Sequence, residues 1–101
     1  MENPVHRLNP ETHPIEDKVS IDNDLIVLVG FSNTNEDEQN IYHLDNNGNV
    51  IWRVWSSLKL EGGYFTKIWE ENGTLLSSNY DGFIRRIDVA TGEATPQKYI
   101  K

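Results

Sequence analysis

The sequence predicts an all-β protein made of two four-stranded antiparallel sheets. Three observations lead there. Short runs of β-forming residues recur along the chain, turn dipeptides separate them, and the second half of the pattern repeats the first. No ten-residue window shows a helical 3.6-residue period with caps at both ends. With 101 residues the chain is one domain's worth of polypeptide.

The elements follow in order. Residues 1–17 hold Pro4, Pro10 and Pro14. Proline lacks an amide donor and holds its predecessor extended, so this stretch reads as an irregular N-terminal arm with one short strand at Val5 to Leu8. From Lys18 the pattern becomes apolar runs between turns. Leu25 to Phe31 and Ile41 to Leu44 are runs of β-formers. Val50 to Trp55 alternates, with Val50, Trp52 and Val54 on one face and Ile51, Arg53 and Trp55 on the other. Tyr64 to Trp69 divides into Tyr64, Thr66, Ile68 and Phe65, Lys67, Trp69. Thr74 to Ser78, Phe83 to Val89 and Ala94 to Ile100 complete the set, and Pro96 confines the last to a sheet edge. Asn47-Gly48, Asn72-Gly73 and Asp81-Gly82 are the dipeptides that supply positive φ in tight hairpin turns, and Thr91-Gly92 marks a fourth turn.

Composition narrows the function. There are 16 acidic residues against 9 Lys plus Arg, a formal charge of -7, and no cysteine. Without cysteine there are no disulfides, thiolate metal sites or thiol nucleophiles. The acidity argues against nucleic acid and anionic membranes, which need a basic face. No apolar run approaches the ~18 residues of a membrane span, and the first residues do not read as a secretory leader, so a cytoplasmic protein is expected. The charge is also uneven. Residues 11–45 carry nine acids opposed only by Lys18, whereas residues 46–101 carry six acids and seven bases. One-signed surfaces of this kind speed encounter with partners of opposite sign.

The repeat is legible residue by residue. Lys18-Val19 matches Lys67-Ile68, Asp22-Asn23 matches Glu71-Asn72, and Ile26 matches Leu75, at an offset of 49. Ile41, Leu44 and Asp45 then match Ile84, Ile87 and Asp88 at an offset of 43. The first copy carries an extra acidic loop, Asn33 to Asn40. Four strands per ~40–50 residues is the period of propeller blades.

Ile41-Tyr42-His43-Leu44-Asp45, followed by Gly48-Asn49-Val50-Ile51-Trp52, resembles the repeat of quinoprotein-type β-propellers. So does Asp81-Gly82-Phe83-Ile84-Arg85-Arg86-Ile87-Asp88 with Thr91-Gly92-Glu93. The resemblance covers about residues 18–101. It implies that the Asp and turn Gly brace each hairpin and that Trp52 docks between neighbouring blades. His43 and Arg86 stand where that family has a small residue, and Pro96 where the second docking Trp would be. A closed ring needs at least four blades, roughly 160 residues at ~40 each. The expectation is therefore a partial, half propeller: blade one over 18–55 and blade two over 64–100, with the arm covering an edge. A homodimer completing a four-bladed ring is the competing arrangement, opposed by the repulsion of its acidic surfaces.

Chemical motifs are sparse. Asp45-Asn46-Asn47-Gly48-Asn49 opens like a calcium loop, but the sixth and twelfth positions are Val50 and Ser56 rather than Gly and Glu. His6, His13 and His43 are not spaced as metal ligands. His43 reads as a strand residue with a polar contact, and Arg85-Arg86 beside Asp81 as a source of local ion pairs. Ser56-Ser57 and Ser77-Ser78 lack a nucleophile-elbow setting, and there is no glycine-rich phosphate loop. No enzyme activity, metal or cofactor is expected, and quinone chemistry does not carry over without the ring that holds the quinone.

What remains is binding. In profile the chain is similar to the small acidic immunity proteins of contact-dependent inhibition and colicin systems, cytosolic inhibitors of basic toxins. That profile implies a monomer forming a 1:1 complex with a basic protein toxin of the nuclease class. The acids would occupy the cations that otherwise hold phosphates. The residues expected to make the contact are Glu36, Asp37, Glu38, Asp22 and Asp24, with Trp55 and Trp69 as aromatic anchors. The alternatives are a non-catalytic carbohydrate- or peptide-binding module with an aromatic groove between the sheets, and a repeat unit of a larger scaffold that leaves one sheet face uncovered.

Overall fold

In the computed structural model, residues 8, 14–30, 39–56, 64–80 and 82–96 are described. They form eight strands and no helix: β1 (Ile15–Ile21), β2 (Asp24–Val29), β3 (Ile41–Leu44), β4 (Val50–Arg53), β5 (Phe65–Glu71), β6 (Thr74–Asn79), β7 (Ile84–Ile87) and β8 (Ala94–Pro96). These make two antiparallel four-stranded meanders, β1-β2-β3-β4 and β5-β6-β7-β8, and neither closes on itself. The expected strand at Val5 to Leu8 falls almost wholly outside the described residues, and Leu8 itself is not in a strand. β1 begins at Ile15, three residues before Lys18. Pro14 leads into it by its carbonyl, which accepts from Gly30 N at 2.8 Å, a role that needs no amide hydrogen.

The two-residue turns are set by positive φ. Asn72 and Gly73 lie at φ 52° and 81°, between the paired Glu71 and Thr74. Asp22 and Asn23 lie at φ 51° and 70°, between Ile21 and Asp24. Both central residues are left-handed, which matches the twist of the flanking strands. The equivalence is therefore Asp22-Asn23 with Asn72-Gly73, an offset of 50. The offset of 49 read from the sequence slips by one residue. Ile15↔Val29 and Phe65↔Asn79 keep the same offset, and Tyr42↔Arg53 and Arg85↔Pro96 keep the offset of 43.

Bulges reverse two faces that strict alternation assigns. A register shift in β3–β4 pairs Leu44 with Val50 and His43 with Trp52. Val50 therefore packs with Val27, Val29, Tyr42 and Leu44, while Trp52 and Val54 lie on the opposite face. A shift in β5 likewise puts Phe65 in the same buried cluster as Ile68. One extra residue in a strand turns every later side chain to the other face. The same bulge makes Thr95, not Pro96, the counterpart of Trp52, because Thr95 pairs with Arg86 as Trp52 pairs with His43.

The core lies between the sheets. Ile26, Leu28, Ile41, Trp52 and Val54 from the first meet Phe65, Ile68, Leu75, Ile87 and Ala94 from the second. At ~25 cal/mol per Å² of apolar area, such burial is the main term holding the sheets together. The packing is same-sense. Leu75 and Ile87 face inward, yet their counterparts Leu25 and Leu44 lie on the outward face of the first sheet. Sheet two thus sets its front on the back of sheet one. Leu8 packs on the outward face of sheet one. On the outward face of sheet two, Ser78, Arg86 and Thr95 replace Leu28, His43 and Trp52. Leu76 and Ile84 on the same face keep the apolar character of Ile26 and Ile41.

Candidate functional site

Each sheet has an opening end, where β1 and β5 start, and a turn end, where the two-residue turns lie. The 31–38 segment leaves and rejoins sheet one at its opening end. Its roots are fixed: Val29 N donates to Asn40 O at 2.9 Å, Gln39 Nε2 to Val54 O at 3.0 Å, and Arg53 Nε to Gln39 O at 2.8 Å. Asn40 is 2% exposed. Its Nδ2 donates to Val29 O and to Phe65 O, both at 2.9 Å, and its Oδ1 accepts from Phe65 N at 2.9 Å. One buried amide therefore ties the root of the acidic segment to the start of β5.

Tyr64 immediately precedes that joint. Its ring lies 5.4 Å from the ring of Tyr80, tilted by 35°, and Tyr80 N donates to Tyr64 O at 2.8 Å. Tyr80 is 70% exposed and Phe83 48% exposed. Ile15, also exposed, begins β1 at the same end. The opening end thus gathers the roots of the acidic segment and an exposed aromatic group. Large exposed aromatics in one place are uncommon on a surface without a binding role.

The expected site residues are not all brought together. Glu36, Asp37 and Glu38 lie outside the described residues. Asp22 and Asp24 belong to the turn end of sheet one, opposite the roots of the 31–38 segment. Asp24 Oδ1 is 3.3 Å from Nε2 of the buried His43, yet neither ring nitrogen of His43 has a hydrogen-bond partner, so the polar contact expected of that histidine is a proximity and not a hydrogen bond. Trp55 is 40% exposed, but its indole donates to Thr91 O at 2.9 Å, and its backbone exchanges hydrogen bonds with Gly92 O and Ala94 N. A parallel bridge between Trp55 and Glu93 thus ties the chain after β4 to the turn before β8. Trp69 is half-buried on the outward face of sheet two with Lys67 Nζ 5.9 Å from its ring centroid. Tyr64, Tyr80 and Phe83 were not singled out by pattern. Their signal is that aromatics flank the Asp81-Gly82 turn, where the strand pattern does not require them.

Several other polar groups among the described residues serve turns and strands locally. Asp45 Oδ1 accepts from Asn47 N and Asn49 N, both at 2.9 Å, and Asp88 Oδ1 from Ala90 N at 2.8 Å. Both carboxylates brace turns. Among the described residues no three His, Asp or Glu are placed to hold a metal. Arg85 is buried and gives its Nε to Asn79 Oδ1 at 2.7 Å, an amide where a local ion pair was expected; Asp81 lies outside the described residues. Trp52 sits between the sheets, with Nε1 donating to Val89 O at 2.7 Å. Burial raises the Tyr42 phenol above its ordinary range and lowers the Arg53 guanidinium that lies over its ring at 5.6 Å. A shallow depression of about 460 Å³ on sheet two is lined by Thr74, Arg86, Asp88, Glu93 and Thr95, whose mixed charges favour neither sign of ligand. No helix among the described residues is long and apolar enough to cross a membrane.

Fold and site define an all-β protein of two same-sense stacked sheets, with the exposed Tyr80 and Phe83 at the end where Asn40 is fixed. The chain belongs to a family described as a domain of unknown function (DUF7957), whose family model matches residues 10–99. No curated protein and no solved structure matches it.

Proposed function

We propose that the chain is an immunity-type inhibitor that binds and neutralises a basic protein toxin of the nuclease class without catalysis of its own. The observation that carries this reading is the joint at the opening end. There the roots of the most acidic segment are locked by Asn40 beside the half-buried Tyr64 and the exposed Tyr80 and Phe83. Acids supply steering and charge complementarity, and exposed aromatics supply the central anchor that an interface needs. The inhibitor acts in the cytoplasm as a monomer, in a 1:1 complex. Its carboxylates cover the cations with which a nuclease holds phosphates.

The same proposal reads the two sheets as consecutive blades of a propeller-type stack. The same-sense packing of sheet two on sheet one supports this, as does the placement of Trp52 against the Val89–Gly92 turn. The polar residues Ser78, Arg86 and Thr95 on the outward face of sheet two, in place of Leu28, His43 and Trp52, argue for a half propeller over a dimer-completed ring.

The test is affinity capture at low salt with the tagged full chain, followed by identification, activity assay and a salt titration of the captured protein. A basic protein whose nuclease activity is lost on binding, with association weakening steeply as salt rises, is the expected result. A carbohydrate- or peptide-binding module is the second reading, favoured by the Tyr64–Tyr80 ring pair, of which Tyr80 is exposed. It predicts affinity nearly independent of salt, and that result would overturn the first.

A further inference from the structure

Ser77, Asn79 and Arg85 form a buried polar group on the inward face of sheet two, with Arg85 only 7% exposed. Ser77 and Asn79 share the face of Leu75, and Arg85 shares that of Ile87. By the offsets of 50 and 43 they stand where sheet one has Val27, Val29 and Tyr42, which pack with one another. Residues without charge suffice at those positions in sheet one, so the fold does not call for a cation there.

Arg85 pairs with Ser77, but its side chain leans toward the opening end, where its Nε donates to Asn79 Oδ1 at 2.7 Å. Asn79 pairs with Phe65, the residue that Asn40 holds. The Asn79 amide is neutral. Among the described residues the one side-chain ion-pair contact is that of His43 with Asp24, so no carboxylate pairs with Arg85. Its terminal amino groups make no hydrogen bond. The fully buried side-chain nitrogens without a partner are those of His43, so the amino groups of Arg85 meet solvent. Arg85 therefore buries its stem and shows only the end of its fork.

Burial does not neutralise an arginine, and a cation withdrawn from water without an opposite charge is costly. Arg86, its neighbour, is exposed and carries no such cost. An oxyanion at the fork offsets it. The bond to Asn79 fixes the plane of the guanidinium and leaves the terminal amino groups as parallel donors. A carboxylate matches them, with both oxygens in one plane. The formal charge of -7 repels multiply charged anions most, which favours a monoanion over a polyphosphate.

We propose that the recessed Arg85 guanidinium, oriented by Asn79, is a receptor for a single carboxylate group, carried by a small molecule or by a side chain of another protein. The site does not depend on the reading of the chain as a toxin inhibitor.

The experiment uses the full chain and two probes, acetate and a glutamate capped at both ends, each exchanged for chloride at constant ionic strength. The Arg85 Nε–H signal, shielded by burial and by Asn79, reports the site. Melting temperature reports its coupling to stability. Acetate is expected to move that signal along a saturating curve in the millimolar range and to raise the melting temperature by a few degrees over chloride. Capped glutamate binding as well as acetate identifies a protein side chain as the source. Binding of acetate alone identifies a small molecule, and either result supports the receptor. In Arg85→Met, whose side chain fills the place of the buried stem, the gain from acetate is expected to vanish. Arg85→Lys keeps the charge without the fork and is expected to bind acetate about tenfold more weakly. Circular dichroism checks the fold of both variants, and the wild-type signal decides the question if they do not fold. An Nε–H signal that acetate does not move, equal melting in acetate and chloride, or a gain that survives in Arg85→Met would overturn the proposal.

Discussion

Asn40 and Phe65 form a reciprocal pair across the two sheets: the side-chain amide of Asn40 donates to the carbonyl of Phe65 and accepts from its N–H, each at 2.9 Å. The amide behaves as a one-residue strand. It satisfies the backbone of β5 where no strand neighbours it, and its second donor satisfies Val29 O. Asn40→Ala leaves one donor and two acceptors without partners at a buried site. The expected loss is about 3 kcal/mol, read as a lower urea midpoint at unchanged slope. Asn40→Asp, which keeps only the acceptor and buries a charge, should fare no better.

Gly92 separates steric from conformational cost. It lies at φ 83°, and a Cβ placed there would stand 2.6 Å from Trp52 Cδ2. Gly73 has a similar φ of 81° but nothing within 4 Å. Gly92→Ala is expected to cost about 3 kcal/mol, combining the left-handed backbone with a displaced indole. Gly73→Ala should cost about 1 kcal/mol. Denaturant melts give the two values, and a red shift of tryptophan emission should appear only in the Gly92 variant.

The outward face of sheet two should decide self-association. Restoring the sheet-one residues with Ser78→Leu, Arg86→His and Thr95→Trp gives it an apolar face like the one that receives a sheet. A surface of that kind can accept another copy head to tail. Sedimentation velocity is expected to show a monomer for the wild type and concentration-dependent larger species for the triple variant.

Tyr42 sets an alkaline limit. Its folded-state phenol titrates above the ordinary value because burial disfavours the phenolate. A group raised in this way contributes stability that is complete below its unfolded value, about 10, and is lost as pH rises through the folded one. Unfolding followed from neutral pH into this alkaline range should show stability falling, and Tyr42→Phe should remove that part of the fall.

Much of the fold was legible in the residues. Asn72-Gly73 announced its turn because only residues tolerant of left-handed backbone occupy it, and the runs at 41–44 and 74–78 fell where strands formed. The faces of Val50 and Phe65 were not legible, because a bulge leaves no compositional mark yet reverses the alternation after it. The same bulge hid the equivalence of Trp52 and Thr95. At the site, the charge of residues 11–45 was plain from counting, but that Asp24 faces His43 while the 31–38 segment leaves from the other end depends on strand direction. The Tyr64–Tyr80 contact joins residues 16 apart in sequence, a proximity set by the hairpin and not by any local spacing.

The central claim is that the acidic segment at the opening end directs association with a basic partner. The decisive measurement is the stopped-flow association rate of the captured partner with the triple variant Glu36→Lys/Asp37→Lys/Glu38→Lys at low salt, beside its thermal melt. The account predicts an almost unchanged melting temperature, because three consecutive acids repel one another and are expected to be solvated, where charges contribute little to stability, and association slower by about tenfold or more. An association rate equal to that of the wild type would contradict it and move the contact to Asp22, Asp24 and the aromatic faces.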